Sequence, residues 1–345
     1  MHAPIPRLPG PDPRALLKAA AAFRQPRAAR SLFEIAVTAL PFGLLWLATW
    51  AALASGQALG LLLAVPAGAF LLRLFMIQHD CGHGAFFRRR AANDWTGRAL
   101  GVLTLTPYEC WRRSHAVHHS SSGNLDARGT GDLDTLTVAE FQALGRVRRL
   151  LYRAYRNPVV LFGLGPAYQF LIRHRFPFGA AAGRRQAWLS AMGTNAGIAV
   201  LAGALIWAMG LKLFLLVHLP IILVAASLGM WLFYVQHQFE HTHWDRGDDW
   251  CFHASALHGS SHYELPPVLR WFSANIGVHH VHHLASRIPF YRLPEVLREV
   301  PEFARCSRMT LGQSLAAIPL ALWDEDKRRL VSFKEARGVA AAAAR

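Results

Sequence analysis

Two long stretches almost free of charge dominate the first quarter of the chain. Residues 32–54 and 59–77 are interrupted only by Glu34 and Arg73, and runs of about 20 apolar residues match a hydrocarbon core of roughly 30 Å. The connection around Ser55, Gly56 and Gln57 is so short that the two must form a hairpin. A second hairpin is expected from residues 188–209 and 211–236, turning at Gly210. Between the hairpins, residues 99–106 and 159–172 are apolar but too short to cross. Gly163, Gly165 and Pro166 break the second, so both read as interfacial. The pattern divides the chain into an N-terminal arm (1–31), a membrane domain (32–323) and a tail (324–345). The arm, rich in Pro and Arg, lacks a cleavable leader pattern and carries an interfacial helix around residues 15–23. The Ala-rich end from Gly338 has no readable role.

Charge then orients the spans. With 37 Lys and Arg against 21 Asp and Glu the chain is strongly basic at +16, yet only 17% of its residues are charged and 53% are hydrophobic. A soluble domain carries roughly 25% charged residues, so the basic excess reads as membrane-flanking charge and not as a nucleic-acid footprint. Residues 78–187 hold 16 Arg, whereas the outer turns hold only Lys212. The positive-inside rule puts that segment and both termini in the cytoplasm, as in a bacterial inner membrane. Arg73, near the end of the second span, is expected to snorkel to the interface. Arg88, Arg89, Arg90, Arg148 and Arg149 read as topological and lipid-facing charge, or as a dock for an acidic electron carrier. Cys81, Cys110, Cys251 and Cys306 show neither disulfide nor thiolate-metal spacing.

The anomaly is 18 histidines in 345 residues, grouped as HDCGH (His79, His83), HAVHH (His115, His118, His119), QHQFEHTH (His237, His241, His243) and HHVHH (His279, His280, His282, His283). At this frequency HxxHH arises by chance about 0.05 times, and it occurs twice. On a helix, positions i, i+3 and i+4 share a face, so each motif aims two or three imidazoles one way. All four groups follow a span or lie in the segments on the same side, so they meet at one membrane face. So many buried imidazoles without a cation would leave ring nitrogens unpaired at about 1–3 kcal/mol each. A structural zinc takes four ligands, and at least eight donors imply two metals. His2, His174, His218, His253, His258 and His262 have no motif partner and read as structural.

HDCGH after a hydrophobic hairpin, WRRSHAVHHSSSGNLDARGTGD, YVQHQFEH and NIGVHHVHHLASRIPFYRL together resemble the membrane-bound fatty acid desaturases, particularly bacterial acyl-lipid ones, over about residues 30–300. The resemblance implies an all-α integral membrane fold. Four transmembrane helices in two hairpins would carry a helical cytoplasmic cap with a histidine-rich di-iron site. It implies two iron ions held by His79, His83, His115, His118, His119, His279, His282 and His283, with His237 or His241 supplying one more. His237, closer to the end of the fourth span, is the expected ligand and His241 the alternative. His280 points about 100° away from His279 on a helix and is not expected to bind metal. Asp80, Glu109, Asp126, Asp132 and Glu240 are candidates to accept the second ring N–H of ligand histidines, and Asn124 and Asn275 to steady the site through water.

The implied activity places a cis double bond in a membrane lipid's acyl chain, using dioxygen and two electrons. No cytochrome-like, flavin or iron–sulfur motif is evident, so a separate ferredoxin-like donor and its reductase are expected. A hydroxylase or ketolase of the same metal class (alkane or carotenoid type) stays open, because ligand histidines do not distinguish it. A metal transporter or sensor is disfavoured, since only Arg73, Asn195 and His218 interrupt the spans, each nearer an end than a midpoint.

Overall fold

A computed structural model describes residues 12–337. An amphipathic helix α1 (Pro13–Ala20) starts on Asp12, whose carboxylate accepts from the Arg14 amide. Pro13 sits where a missing N–H costs nothing. α1 and the turn after it bury Leu16, Ala20 and Phe23 in the main core, so the arm helix expected at residues 15–23 is present. The Pro-rich residues before Asp12 and the Ala-rich end from Gly338 lie outside the described residues.

The first hairpin is α2 (Ala28–Ala54) and, after a 3-10 stretch at Ala58–Leu63, α3 (Ala64–Gly82). The turn uses Gly56 at φ +80. Then come α4 (Arg90–Leu103), α5 (Tyr108–Ser121), a two-residue strand β1 (Leu136–Thr137), α6 (Val138–Ala143) and α7 (Arg146–Tyr155). The stretch expected to break at Gly163 to Pro166 is a π-turn at Val160–Leu164 running into α8 (Gly165–Leu171). The second hairpin is α9 (Arg185–Met209) and α10 (Leu211–His237), joined by Gly210 alone at φ +79. The rest of the cap is α11 (Phe252–His258), β2 (His262–Glu264), α12 (Pro267–Phe272), α13 (His279–Leu284), α14 (Leu293–Glu299), β3 (Arg308–Thr310), α15 (Leu311–Ala316), β4 (Leu320–Asp324) and β5 (Arg329–Ser332).

Among the described residues, four helices are long and apolar enough to cross a membrane. α3 packs against α2, α4 and α10; 56% of its apolar window is buried against 11% for α9, so α3 is the axis and α9 faces lipid. The helices outrun their apolar stretches, since a helical backbone keeps its own hydrogen bonds beyond the hydrocarbon layer. This carries His79 on α3 and His237, the last residue of α10, to the cap.

Three findings modify the sequence-based picture. Two small sheets accompany the helices: β1 runs parallel to β4, which pairs antiparallel with β5, and β2 runs parallel to β3. The expected tail from residue 324 therefore begins inside a hairpin. Leu330 and Val331 are fully buried, and Val331 joins a second small core with Phe141, Tyr152 and Leu322. Arg73 does not snorkel. It is 1% exposed, ion-paired with Glu34 of α2, bonded to Thr38 Oγ1 (3.2 Å) and the Trp271 carbonyl of α12, with its guanidinium 3.9 Å from the Trp271 ring centre. A buried carboxylate in reach removes the reason for the arginine to seek water, and the network ties the first hairpin to the cap.

Candidate metal centre

Among the described residues, nine histidines meet where α3 and α10 enter the cap, in two groups whose donor atoms lie within 4.8 Å of one another. The first is His79, His83, His115, His119 and His282. The second is His118, His237, His279 and His283. α3 supplies His79, its C-terminal cap His83 follows, α10 supplies His237, and α5 and α13 supply the remaining six.

Ring orientation is fixed from outside. His118 Nδ1 donates to Asp132, His237 Nδ1 to the Gly259 carbonyl at 3.2 Å, and His79 Nδ1 to Asp80 at 3.2 Å. Asp80 also accepts from the Phe290 amide at 2.7 Å. With the Nδ1 protons of His118 and His237 so engaged, their Nε2 atoms carry lone pairs, yet these face each other at 3.1 Å. Further Nε2 pairs are His237–His279 at 3.0 Å, His115–His119 at 3.1 Å and His119–His282 at 3.2 Å. Facing lone pairs repel unless a cation lies between them. Around an ion with nitrogens at about 2.1 Å, adjacent ligand atoms sit about 3 Å apart. His83 Nε2 and His283 Nε2 are buried without any partner among the described residues. Burial, followed by the neighbouring rings, holds His83, His115, His119, His279, His282 and His283 well below the usual imidazole range. Neutral imidazole is the ligand form. The donor set fits two metal ions.

The remaining candidates fall elsewhere. His241 is exposed and belongs to neither group. His243 pairs with Asp245 at 2.8 Å, and His280 turns away to the Phe303 carbonyl at 2.9 Å. Of the proposed supporting groups, Asp80 and Asp132 hold histidines. Asn275 acts one step removed, donating to the carbonyl of Phe290 at 3.2 Å. The others are engaged elsewhere: Glu109 by Arg98 and Ser190, Asp126 by Arg246 and the Gly247 amide, Glu240 by Arg329, and Asn124 by its own turn. An arginine in reach outcompetes a neutral imidazole for a carboxylate. Two supports were missed. Trp111 stacks on His115 at 4.5 Å, which the i, i+4 spacing within WRRSH signals. The Gly259 carbonyl has no side-chain signal at all.

The architecture defines a helical membrane protein with two adjacent histidine clusters under a cap that could hold metal. A family model of fatty acid desaturases matches residues 48–314. A fatty acid desaturase of Bacillus subtilis is 45% identical over 92% of this chain and 90% of its own length. An sn-1 acyl-lipid omega-3 desaturase (ferredoxin) of Synechocystis is 30% identical over 66% of this chain and 63% of its own, and an sn-1 oleoyl-lipid 12-desaturase of the same organism is 28% identical over 66% and 64%. The chain belongs to the fatty acid desaturase family: it is an oxidoreductase of lipid metabolism.

Proposed function

We propose that the protein is an oxygen-dependent acyl-lipid desaturase that sets a cis double bond into a membrane lipid's acyl chain at an iron pair. The observation that carries this reading is the facing of imidazole lone pairs in two adjacent groups, in a chain of this family. His79, His83, His115, His119 and His282 would hold one ion. His118, His237, His279 and His283 would hold the other, with His237 and not His241 as the ninth ligand. When bound, an iron pair would supply an oxidation in which dioxygen, two electrons and two protons from solvent take two hydrogens from adjacent methylenes, leaving a double bond and two waters. The chain's part is placement. Asp132, Asp80 and the Gly259 carbonyl hold protons on Nδ1 and keep Nε2 free, and the ends of α3 and α10 fix the depth of the site against the bilayer, from which the acyl chain enters.

The names of the cyanobacterial relatives couple acyl-lipid substrates with ferredoxin, which supports a separate ferredoxin-like donor and its reductase. The arginine-rich segments support a bacterial inner-membrane orientation with cap and termini in the cytoplasm. The test is product analysis of purified, iron-loaded protein given ferredoxin, reductase, dioxygen and phospholipid. Mass spectrometry should find acyl chains lighter by two hydrogens. A gain of one oxygen would make the protein a hydroxylase.

A further inference from the structure

An open cavity of about 250 Å³ lies against the chain that leaves the metal-binding helix, lined by Arg24, Leu284, Ala285, Ser286 and Arg287. Its floor begins one residue after His283. Its opposite wall comes from the N-terminal arm, held in place by Arg292, which bonds to the Ala22 and Gln25 carbonyls and lies over the Phe23 ring at 5.1 Å. The wall is thus a fixed part of the fold. Neither lining arginine forms an ion pair with a carboxylate among the described residues, whereas Arg292 beside them is paired with Glu295. Arg24 Nε is buried with no partner, and Arg287 is exposed. Two unneutralised guanidinium groups facing one recess repel each other and favour an incoming anion.

We propose that this recess is the docking point of a small acidic redox protein, whose surface carboxylates seat on Arg24 and Arg287 above the metal-binding helix. The inference rests on the desaturase reading and names the partner of that same site. Distance supports an electron donor: the four residues from His283 to Arg287 span at most about 14 Å even when extended, so a carrier seated here brings its redox centre close to a ligand backbone. The recess, open and about 250 Å³, has room for one or two carboxylate side chains. Two reduced carriers would each give one electron and leave oxidised. With two electrons from the substrate's C–H bonds and protons from solvent, these reduce dioxygen to two waters.

The test uses the full-length, iron-loaded enzyme in nanodiscs of neutral phosphatidylcholine with an acidic two-iron ferredoxin and its reductase. Arg24→Glu/Arg287→Glu should weaken ferredoxin binding and raise its KM at least about tenfold, equivalent to about 1.4 kcal/mol. The kcat at saturating ferredoxin should hold, and the salt dependence of KM should flatten. Single turnover driven by dithionite should be unchanged. Arg287→Glu alone, at an exposed position, should give a smaller shift, and Arg24→Lys/Arg287→Lys should keep most of the affinity. Unchanged binding in both glutamate variants overturns the proposal. So does a loss that appears only when anionic lipid is added, which would make the recess a headgroup site, or an equal loss of dithionite-driven turnover, which would make the arginines structural. If wild-type enzyme yields no desaturated product from any electron source, the desaturase reading fails; the binding measurement needs no turnover and still decides the docking site.

Discussion

The two histidine groups are built from the same helices in opposite proportions. α5 gives His115 and His119 to the five-membered group and His118 to the four-membered one; α13 gives His279 and His283 to the four-membered group and His282 to the other. In each HxxHH the i and i+4 rings, about 40° apart, stay together, and the i+3 ring, about 60° to the other side of i, crosses over. One motif therefore contributes to both groups, and each helix staples them together. The groups differ in support and in access. All four members of the second are buried, with Asp132 and the Gly259 carbonyl behind His118 and His237. Three of the five in the first are only partly buried, and its supports are Asp80 behind His79 and the Trp111 ring on His115. The smaller group relies on orientation and the larger on number.

The largest expected effects test that contrast. His118→Ala leaves three imidazoles in the small group, fewer than a closed four-ligand site provides, and His282→Ala leaves four in the large one. Both variants should lose desaturation. Iron should fall from about two to about one per chain in His118→Ala and stay nearer two in His282→Ala. Membrane insertion should survive in both, since hydropathy directs the spans. Equal iron loss in the two would show that the groups load as one unit. His237→Ala should likewise lose the iron of the small group, and exposed His241→Ala should not; the reverse result would move the ninth ligand to His241.

Smaller losses should come from the supports. Asp132→Asn removes the carboxylate that holds His118, and replacing such a partner costs about 10–100-fold in metal affinity or activity. Glu109→Gln and Asp126→Asn, whose carboxylates serve arginines, should leave iron titrations unchanged. Gly131→Ala offers a gentler version of the same lesion. Gly131 lies at φ +78, and a Cβ there would sit 2.8 Å from the Ser114 carbonyl and 3.1 Å from His118 Cβ. The loop must shift and carry Asp132 with it. Iron release should quicken in Gly131→Ala less than in Asp132→Asn, and equal rates would mean that the loop's position, and not the carboxylate, orients His118.

The spans, their pairing and the histidine motifs were legible in sequence because period and spacing are local properties. His237 was readable too, as the span end fixes its depth. What escaped depended on contacts across the fold. Glu109 and Glu240 looked like partners for histidines until Arg98 and Arg329 were found beside them. Arg73 looked bound for water until Glu34, 39 residues away, met it inside the bundle. Strand β5, four residues long, leaves no periodic signature, and only its pairing with β4 reveals it.

The smallest predicted effect concerns the part of the cap that holds no histidine ligand. Glu140 closes a capping box with Thr137 at the start of α6 and takes a two-pronged contact from Arg128 at 2.6 and 2.9 Å. The Arg128 hydrogen bonds, working against burial and helped by the Thr137 amide, hold its carboxyl down at about 2. A depressed carboxylate stabilises the fold above its unfolded value near 4.3, and that contribution drains as pH falls through about 4 toward 2. Because the side chain is about one-third exposed, screening trims the gain, and Glu140→Gln should cost only about 1 kcal/mol. The loss should fall on the β1–β4–β5 corner, since α6 follows β1 directly and packs against β1 and β4. The expected reading is faster amide exchange in residues 320–332 at pH 7, a difference from wild type that narrows below about pH 4, and unchanged iron content. Iron loss in Glu140→Gln would mean that this corner and the metal centre unfold together, and that the small sheet is part of the scaffold that holds the four-histidine group.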